Sequence, residues 1–261
     1  GQGGMGTVYK AEQIKLGRDV ALKTFRSKEI PPDVWRRFER EARAVAQLDH
    51  ENVIKVYDFG ITEDNRPYYT MELLSGESLE ERLDRHGALS LAEFYYIFAR
   101  VFEALKYTHE KHIVHRDIKP ANVFLTLKNE QITSVKLVDF GIAGLVKDMG
   151  TADQKLTDTG TIFGSPLYMS PEQSRGENLD GRTDIYSCGC MLFECLTEVP
   201  PFRGNSALET IIMHQSSPVP PLPAKTERGE NIPDWLSQLY GLMMQKEKEN
   251  RIGSCAEIFD V

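Results

Sequence analysis

The segment HEKHIVHRDIKPAN, residues 109 to 122, concentrates side chains that could do chemistry. Three histidines recur every three residues, and His115, Arg116, Asp117, Lys119 and Asn122 fall within eight positions. Such a set could bind a metal ion, form a catalytic loop, or be the solvated end of a helix.

A zinc site makes demands on spacing that this segment does not meet. Two histidine ligands on one helix face need a separation of about four residues and further ligands beside them. Here His109 and His112 are three apart, and the β-branched residues that follow end the helical pattern, so His115 begins a new segment. The pattern favours the C-terminus of a helix, carrying His109, Lys111 and His112, over a metal site.

The composition is that of an ordinary globular protein, with 41% hydrophobic and 27% charged residues among 261. A net charge of -8 argues against a nucleic-acid partner held by general electrostatic attraction. The four cysteines form no C-x-x-C pair, which predicts buried thiols and a reducing, cytoplasmic compartment. No signal peptide or run of about 18 apolar residues occurs, so no membrane segment is expected. Because the chain starts without Met inside a glycine motif, we expect a domain of a longer protein, and the lack of a membrane segment here does not exclude a membrane anchor elsewhere in that protein.

The order of predicted elements indicates the fold class. Residues 1 to about 72 are mostly strand-forming, in TVYKAEQ, DVALKTF, VIKVYDFG and PYYTMELL, with one helix in VWRRFEREARAVAQL. From Ser78 onward helices dominate, with two short strands in VFLTL and VKLVDF and an extended Pro-rich connection at 216–224. This order predicts an α+β protein of two lobes with a cleft between them.

The stretch GQGGMGTV matches G-x-G-x-x-G, a pattern shared by several folds. A dinucleotide-binding fold needs a helix after the glycines, but TVYKAEQ is strand-forming, and an NTPase P-loop needs Gly-Lys-Ser or Gly-Lys-Thr. What remains is a hairpin. Its glycines, Gly1, Gly3, Gly4 and Gly6, either bring backbone N–H groups to phosphate oxygens or simply form a turn.

Lys23 lies in the apolar strand VALK, where an unpaired ammonium is costly. The predicted helix offers a carboxylate as partner. Glu41 falls on the same inward side as Phe38 and Val45 and is therefore preferred to Glu39.

In chain order, the sequence carries the Gly-rich loop, VALK, the helical glutamate, HRDIKPAN, DFG and SPE. This set resembles the protein kinase family over nearly the whole chain, and its details are similar to bacterial Ser/Thr kinases of the receptor-like type. The resemblance implies a kinase fold with an N-lobe at 1–74 and a C-lobe at 75–261. It also implies transfer of the γ-phosphoryl of ATP, with Mg or Mn, to Ser or Thr hydroxyls of protein substrates. Lys119 favours those hydroxyls over that of Tyr.

The resemblance also implies roles for individual residues. The catalytic set would be Asp117, Lys119, Asn122 and Lys23, and the Mg²⁺ ligands would be Asn122 and Asp139. The nucleotide would be held by Gly1, Gly3, Gly4, Gly6, Val8, Ala21, Lys23, Glu41, Met71, Glu72, Leu74, Phe124 and Asp139.

The family resemblance suggests regulation through the segment between Asp139 and Glu172. Arg116 would receive a phosphate placed there, and the candidate sites are Thr157, Thr159 and Thr161. We expect autophosphorylation, with a homodimer as the arrangement for phosphorylation in trans. Ser165 stands where the family more often has Thr and keeps the hydroxyl.

Three further residues have structural interpretations. Glu172 is expected to pair with Arg251, as in the family. Asp184 either caps a helix or holds the backbone of the catalytic loop. His115 is expected to be a packing residue.

Two rival functions remain. A pseudokinase or nucleotide-binding scaffold usually lacks a key residue, whereas Lys23, Asp117, Asn122 and Asp139 are all present. A small-molecule phosphotransferase is disfavoured by the long segment ending in SPLYMSPE, which suits a peptide substrate.

Overall fold

The computed structural model describes residues 2–3, 6–25, 32–140 and 166–260. Its first part is a five-stranded antiparallel sheet in the order β1-β2-β3-β5-β4. The strands are β1 (Gln2–Gly3), β2 (Gly6–Gln13), β3 (Arg18–Phe25), β4 (Val56–Ile61) and β5 (Pro67–Glu72). The four predicted strands are confirmed, although β4 begins later than expected because Val53 makes only a single bridge, to Leu137.

Helix α1 (Pro32–Ala46) packs on this sheet through the face predicted from its periodicity. Phe38, Ala42 and Val45 are buried, and the Phe38 ring meets Phe25 of β3 edge-on at 5.9 Å. The inward side of α1 therefore faces the strand that carries Lys23.

The rest of the chain is mainly helical. A three-stranded antiparallel sheet is formed by β6 (Gly76–Ser78), β7 (Val123–Lys128) and β8 (Gln131–Leu137). The helices are α2 (Leu79–His86), α3 (Leu91–Glu110), α4 (Pro171–Arg175), α5 (Gly181–Thr197), α6 (Ala207–Ser216), α7 (Asp234–Met243) and α8 (Cys255–Ile258). The two-lobed α+β class is confirmed, and the Pro-rich segment after α6 does connect two helices.

Sequence reasoning missed β6 and α2, which are short. The signal for α2 was present, because Ser78 and Glu81 form a capping box in which each side chain binds the other's backbone N–H.

Helix α5 is the centre of the helical part. Almost all its side chains are buried, including Cys188, Cys190 and Cys195, and Cys255 of α8 is buried as well. Burial raises the pKa of all four thiols. Within the part of the chain described, no helix is long and apolar enough to cross a membrane.

Candidate active site

Lys23 and Asp139 meet although they belong to different parts of the chain. Lys23 lies on β3, opposite Val8 of β2 and Tyr69 of β5. Its Nζ is 2.6 Å from Asp139 Oδ2, and the lysine side chain is only 8% exposed. This ion pair satisfies an ammonium that burial would otherwise make costly.

Asp139 follows the end of β8 and adopts a left-handed conformation with φ of 61°. Tyr69 Oη donates a 2.8 Å hydrogen bond to its Oδ1, while Lys23 engages Oδ2. Burial alone would raise the pKa of Asp139, but the charge of Lys23 and the hydrogen bonds from Lys23 and Tyr69 together hold it below its ordinary value. The carboxylate is therefore ionised at neutral pH.

A second polar cluster surrounds Asp117. Lys119 Nζ lies 2.9 Å from Asp117 Oδ2, and Asn122 Nδ2 donates to the same oxygen at 3.0 Å and to the Asp117 carbonyl at 2.7 Å. The 3-10 turn Pro120–Asn122 sets the position of Asn122. The Val138 N–H donates to the Asn122 carbonyl at 3.0 Å, so this cluster is tied to the residue before Asp139.

The backbone at the start of the loop 115–122 is anchored to α5. The N–H groups of His115 and Arg116 donate to the two carboxylate oxygens of Asp184, each at 2.8 Å. Asp184 is fully buried, and Asp180 caps α5 instead. Holding the loop is thus the confirmed interpretation of Asp184, and the helix-cap alternative was wrong.

The ring of His109, the first histidine of segment 109–122, also contacts Asp184. His109 Nε2 lies 2.8 Å from Asp184 Oδ2. His115 is buried as expected, with its ring 4.6 Å from that of Phe140 and its Nε2 3.0 Å from the Val138 carbonyl. His112, by contrast, is exposed.

The expected pairing of Lys23 with Glu41 must be corrected for this structure. Lys23 engages Asp139, whereas Glu41 Oε1 lies 3.4 Å from Arg116 Nη1. Helical periodicity gave the correct face of α1, but it could not place that helix relative to two competing charges, the ammonium of Lys23 and the guanidinium of Arg116.

The other residues expected to hold nucleotide lie along both sheets. Ala21 pairs across β3 and β5 with the buried Met71, and Val8 pairs with Lys23. The Glu72 carboxylate is 2.9 Å from Lys136 Nζ. Leu74 and Phe124 are half-buried.

The glycine stretch forms the expected hairpin, in which Gly3 pairs with Gly6. A Cβ on Gly6 would lie 2.1 Å from the Thr24 carbonyl oxygen, so the close approach of β2 to β3 requires glycine here. Gly1 and Gly4 lie outside the described residues, as do Ser165 and the candidate phosphosites Thr157, Thr159 and Thr161.

The predicted pair of Glu172 and Arg251 is confirmed. Arg251 Nη1 and Nη2 donate to the two oxygens of Glu172 at 2.8 and 3.1 Å, and both side chains are fully buried. Burial would raise the pKa of Glu172, but Arg251 lowers it below its ordinary value. The pair ties α4 to the segment before α8.

Three contributing residues were missed by sequence reasoning. Tyr69 could have been found, because period-two alternation in β5 places it on the same face as Met71. Gln173, whose Nε2 donates to the Arg116 carbonyl at 2.8 Å, and His109 carried no local signal for their roles.

Comparison with known proteins agrees with this geometry. The family model "Protein kinase domain" matches residues 1–260, so the chain belongs to the protein kinase domain family.

Among its relatives, the serine/threonine-protein kinase PknB of Mycobacterium leprae is 37% identical over 99% of this chain and 40% of that protein. PknB of Mycobacterium tuberculosis is 36% identical with the same coverage. The probable serine/threonine-protein kinase SCO3848 of Streptomyces coelicolor is 43% identical over 82% of this chain and 31% of its own length. The chain thus spans less than half of these relatives.

The fold also matches a solved structure. The crystal structure of a double mutant of the Mycobacterium tuberculosis PknI kinase domain superposes with a TM-score of 0.74 at 26% identity, covering 100% of this chain and 90% of that one.

Proposed function

We propose that this domain is a serine/threonine protein kinase that transfers the γ-phosphoryl group of ATP to Ser or Thr hydroxyls of protein substrates. The proposal rests on two polar clusters that one backbone hydrogen bond, from Val138 to Asn122, links. The first cluster is Lys23 with Asp139, and the second is Asp117 with Lys119 and Asn122. The serine/threonine kinase names of the relatives support it.

The nucleotide phosphates would be held mainly by Lys23. Its buried ammonium, 2.6 Å from Asp139 Oδ2 here, would exchange that carboxylate for phosphate oxygens, since both are anionic oxygen acceptors. Glu41 would then leave Arg116 and orient Lys23, as the family pattern implies. Nucleotide binding would therefore rearrange both ion pairs.

The residues present fit a divalent cation. Asp139 is ionised, and with the amide oxygen of Asn122 it offers the hard oxygen ligands that Mg²⁺ or Mn²⁺ prefers. When bound, the cation would neutralise charge on the phosphate oxygens during transfer.

Asp117 would act on the acceptor. Its carboxylate would accept the proton of the substrate hydroxyl, or orient that hydroxyl, as the oxygen attacks phosphorus. Lys119, 2.9 Å from the same carboxylate, would stabilise the negative charge of the phosphoryl group in transit.

Regulation would follow from phosphorylation of the segment that holds Thr157, Thr159 and Thr161. A phosphate there would compete with Glu41 for Arg116. Autophosphorylation is measured by the intact mass of the chain after incubation with Mg-ATP, with Asp117→Asn as the control. A chain that phosphorylates substrate but never gains mass itself would contradict autophosphorylation.

Three further expectations stay predictions: the lobe boundary after residue 74, trans-phosphorylation in a homodimer and a cytoplasmic location.

The decisive experiment compares Asp117→Asn with the parent chain in transfer of labelled phosphate to a generic basic protein. Loss of about 10²- to 10⁴-fold is expected, the range for a positioned acid–base group. Asp58→Asn, an exposed aspartate of β4, is the matched control and should transfer at the parental rate. Parental activity in Asp117→Asn would refute the proposal, and no transfer by a folded parent would favour the pseudokinase alternative.

A further inference from the structure

Lys246 differs from every other lysine that the structure describes. Many of those lysines form ion pairs with carboxylates: Lys10, Lys23, Lys55, Lys119, Lys136 and Lys248. The rest are exposed to solvent: Lys15, Lys106, Lys111, Lys128 and Lys225. Lys246 is half-buried, and it forms no ion pair with a described carboxylate. Its ammonium therefore loses part of its hydration without gaining an anionic partner.

The groups that Lys246 Nζ contacts are uncharged. The Nζ donates to the Met213 carbonyl in the last turn of α6 at 3.2 Å, and it lies 3.5 Å from Tyr186 Oη of α5. The centre of the Phe202 ring is 3.9 Å away. A carbonyl dipole and a ring face favour an ammonium more weakly than a carboxylate does. The cost of burying this charge is therefore only partly offset.

This environment favours the neutral amine. Burial lowers the pKa of Lys246 from 10.5 to about 8, and the charge of Arg251 acts in the same direction. Three further titratable groups lie nearby, Tyr186, Cys190 and His214. They stay uncharged from about pH 7 to 10, because burial raises the pKa of Tyr186 and of Cys190 and lowers that of His214 to about 4. The charge around Lys246 is therefore constant while Lys246 itself titrates.

We propose that Lys246 is a nucleophilic amine that small acyl phosphates acylate. The Nζ electron pair attacks the carbonyl carbon of the acyl phosphate and forms a C–N bond. The carbon–oxygen bond to phosphate breaks, phosphate leaves with that electron pair, and the nitrogen releases a proton to water. The product is a neutral amide, so the cation at the last turn of α6 is lost. Because Lys246 is half-buried, it is open to a compact reagent of this kind.

The proposal is tested by incubating the folded chain with acetyl phosphate and following acetylation of each lysine by peptide mass spectrometry. At about pH 7, Lys246 should react about tenfold faster than the exposed Lys106 and Lys225. Its larger neutral fraction outweighs the weaker intrinsic nucleophilicity of a less basic amine. The rate at Lys246 should level off above about pH 8, while the rates of the two exposed lysines should still rise at about pH 10.

The unfolded chain and two variants serve as controls. In urea the environment of Lys246 is lost, so its rate should equal those of Lys106 and Lys225. Lys246→Arg should remove the fastest acetylation from the intact mass of the folded chain. The matched variant Lys225→Arg should be acetylated at Lys246 at the parental rate.

A rate at Lys246 no higher than at the exposed lysines of the folded chain would overturn the proposal. So would a rate that keeps rising far above pH 8, or faster reaction of Lys246 in urea than in the folded chain, because the folded amine would then be shielded. None of these measurements requires phosphoryl transfer, so they remain informative if the proposed function fails.

Discussion

At the scale of single residues, the pKa of Asp139 is determined by neighbours with opposite effects. Burial disfavours its charge, and Lys23 and Tyr69 more than compensate. Each neighbour occupies a different carboxylate oxygen. The contribution of Tyr69 can therefore be removed without touching the ion pair.

Tyr69→Phe should raise the pKa of Asp139 and lower the free energy of unfolding by about 1.5–3 kcal/mol, the usual value of a hydrogen bond to a charged group. NMR titration of the Asp139 carboxyl carbon and urea unfolding measure the two effects. Tyr68→Phe, on the neighbouring position of β5, is the control. An unchanged pKa of Asp139 in Tyr69→Phe would show that the hydrogen bond contributes nothing.

His214 provides a pH dependence of stability. It is fully buried, with Nδ1 3.0 Å from Tyr186 Oη, and burial, then the charge of Lys246, lower its pKa from 6.5 to about 4. Between these values the unfolded chain binds a proton that the folded chain does not. The free energy of unfolding should therefore fall as pH falls from 6.5 to about 4.

This histidine accounts for at most about 3 kcal/mol of that loss. Urea unfolding between pH 4 and 7 should show a shallower decline in His214→Gln than in the parent. His86→Gln, at an exposed histidine of α2, should follow the parent. Identical slopes in all three chains would exclude His214 as the source.

At the scale of elements, the buried pair of Glu172 and Arg251 fixes α4 against the helical core. Arg251→Met leaves a buried carboxylate without its partner and should lower the free energy of unfolding by about 3–5 kcal/mol. Arg43→Met removes an exposed ion pair with Glu39 within α1 and should cost no more than about 1 kcal/mol. Urea unfolding measures the loss of unfolding free energy in each variant. Equal losses would mean that a buried ion pair contributes no more to stability than an exposed one.

The elements were predicted best where a periodic pattern of apolar residues extends over many positions. The inward face of α1 and the strands β2, β3 and β5 followed from their patterns, whereas β6 and α2 span too few residues for a period to be recognised.

At the scale of the whole molecule, motifs predicted which residues converge, but not how their charges pair. The partner of Lys23 depends on the position of α1, which local pattern does not encode. The role of Asp184 was likewise open, because an aspartate near a helix start has the same local signature whether it caps the helix or binds a distant loop. Such choices are made by tertiary packing.

Because all four thiols are buried, their reactivity can be used to follow unfolding of the chain. An alkylating reagent needs a thiolate that it can reach, and the folded chain offers neither access nor ionisation. Iodoacetamide pulses across a denaturant series, followed by mass spectrometry, should therefore count unfolded molecules directly. Modification of Cys255 alone in native buffer would instead reveal local fraying of the short last helix.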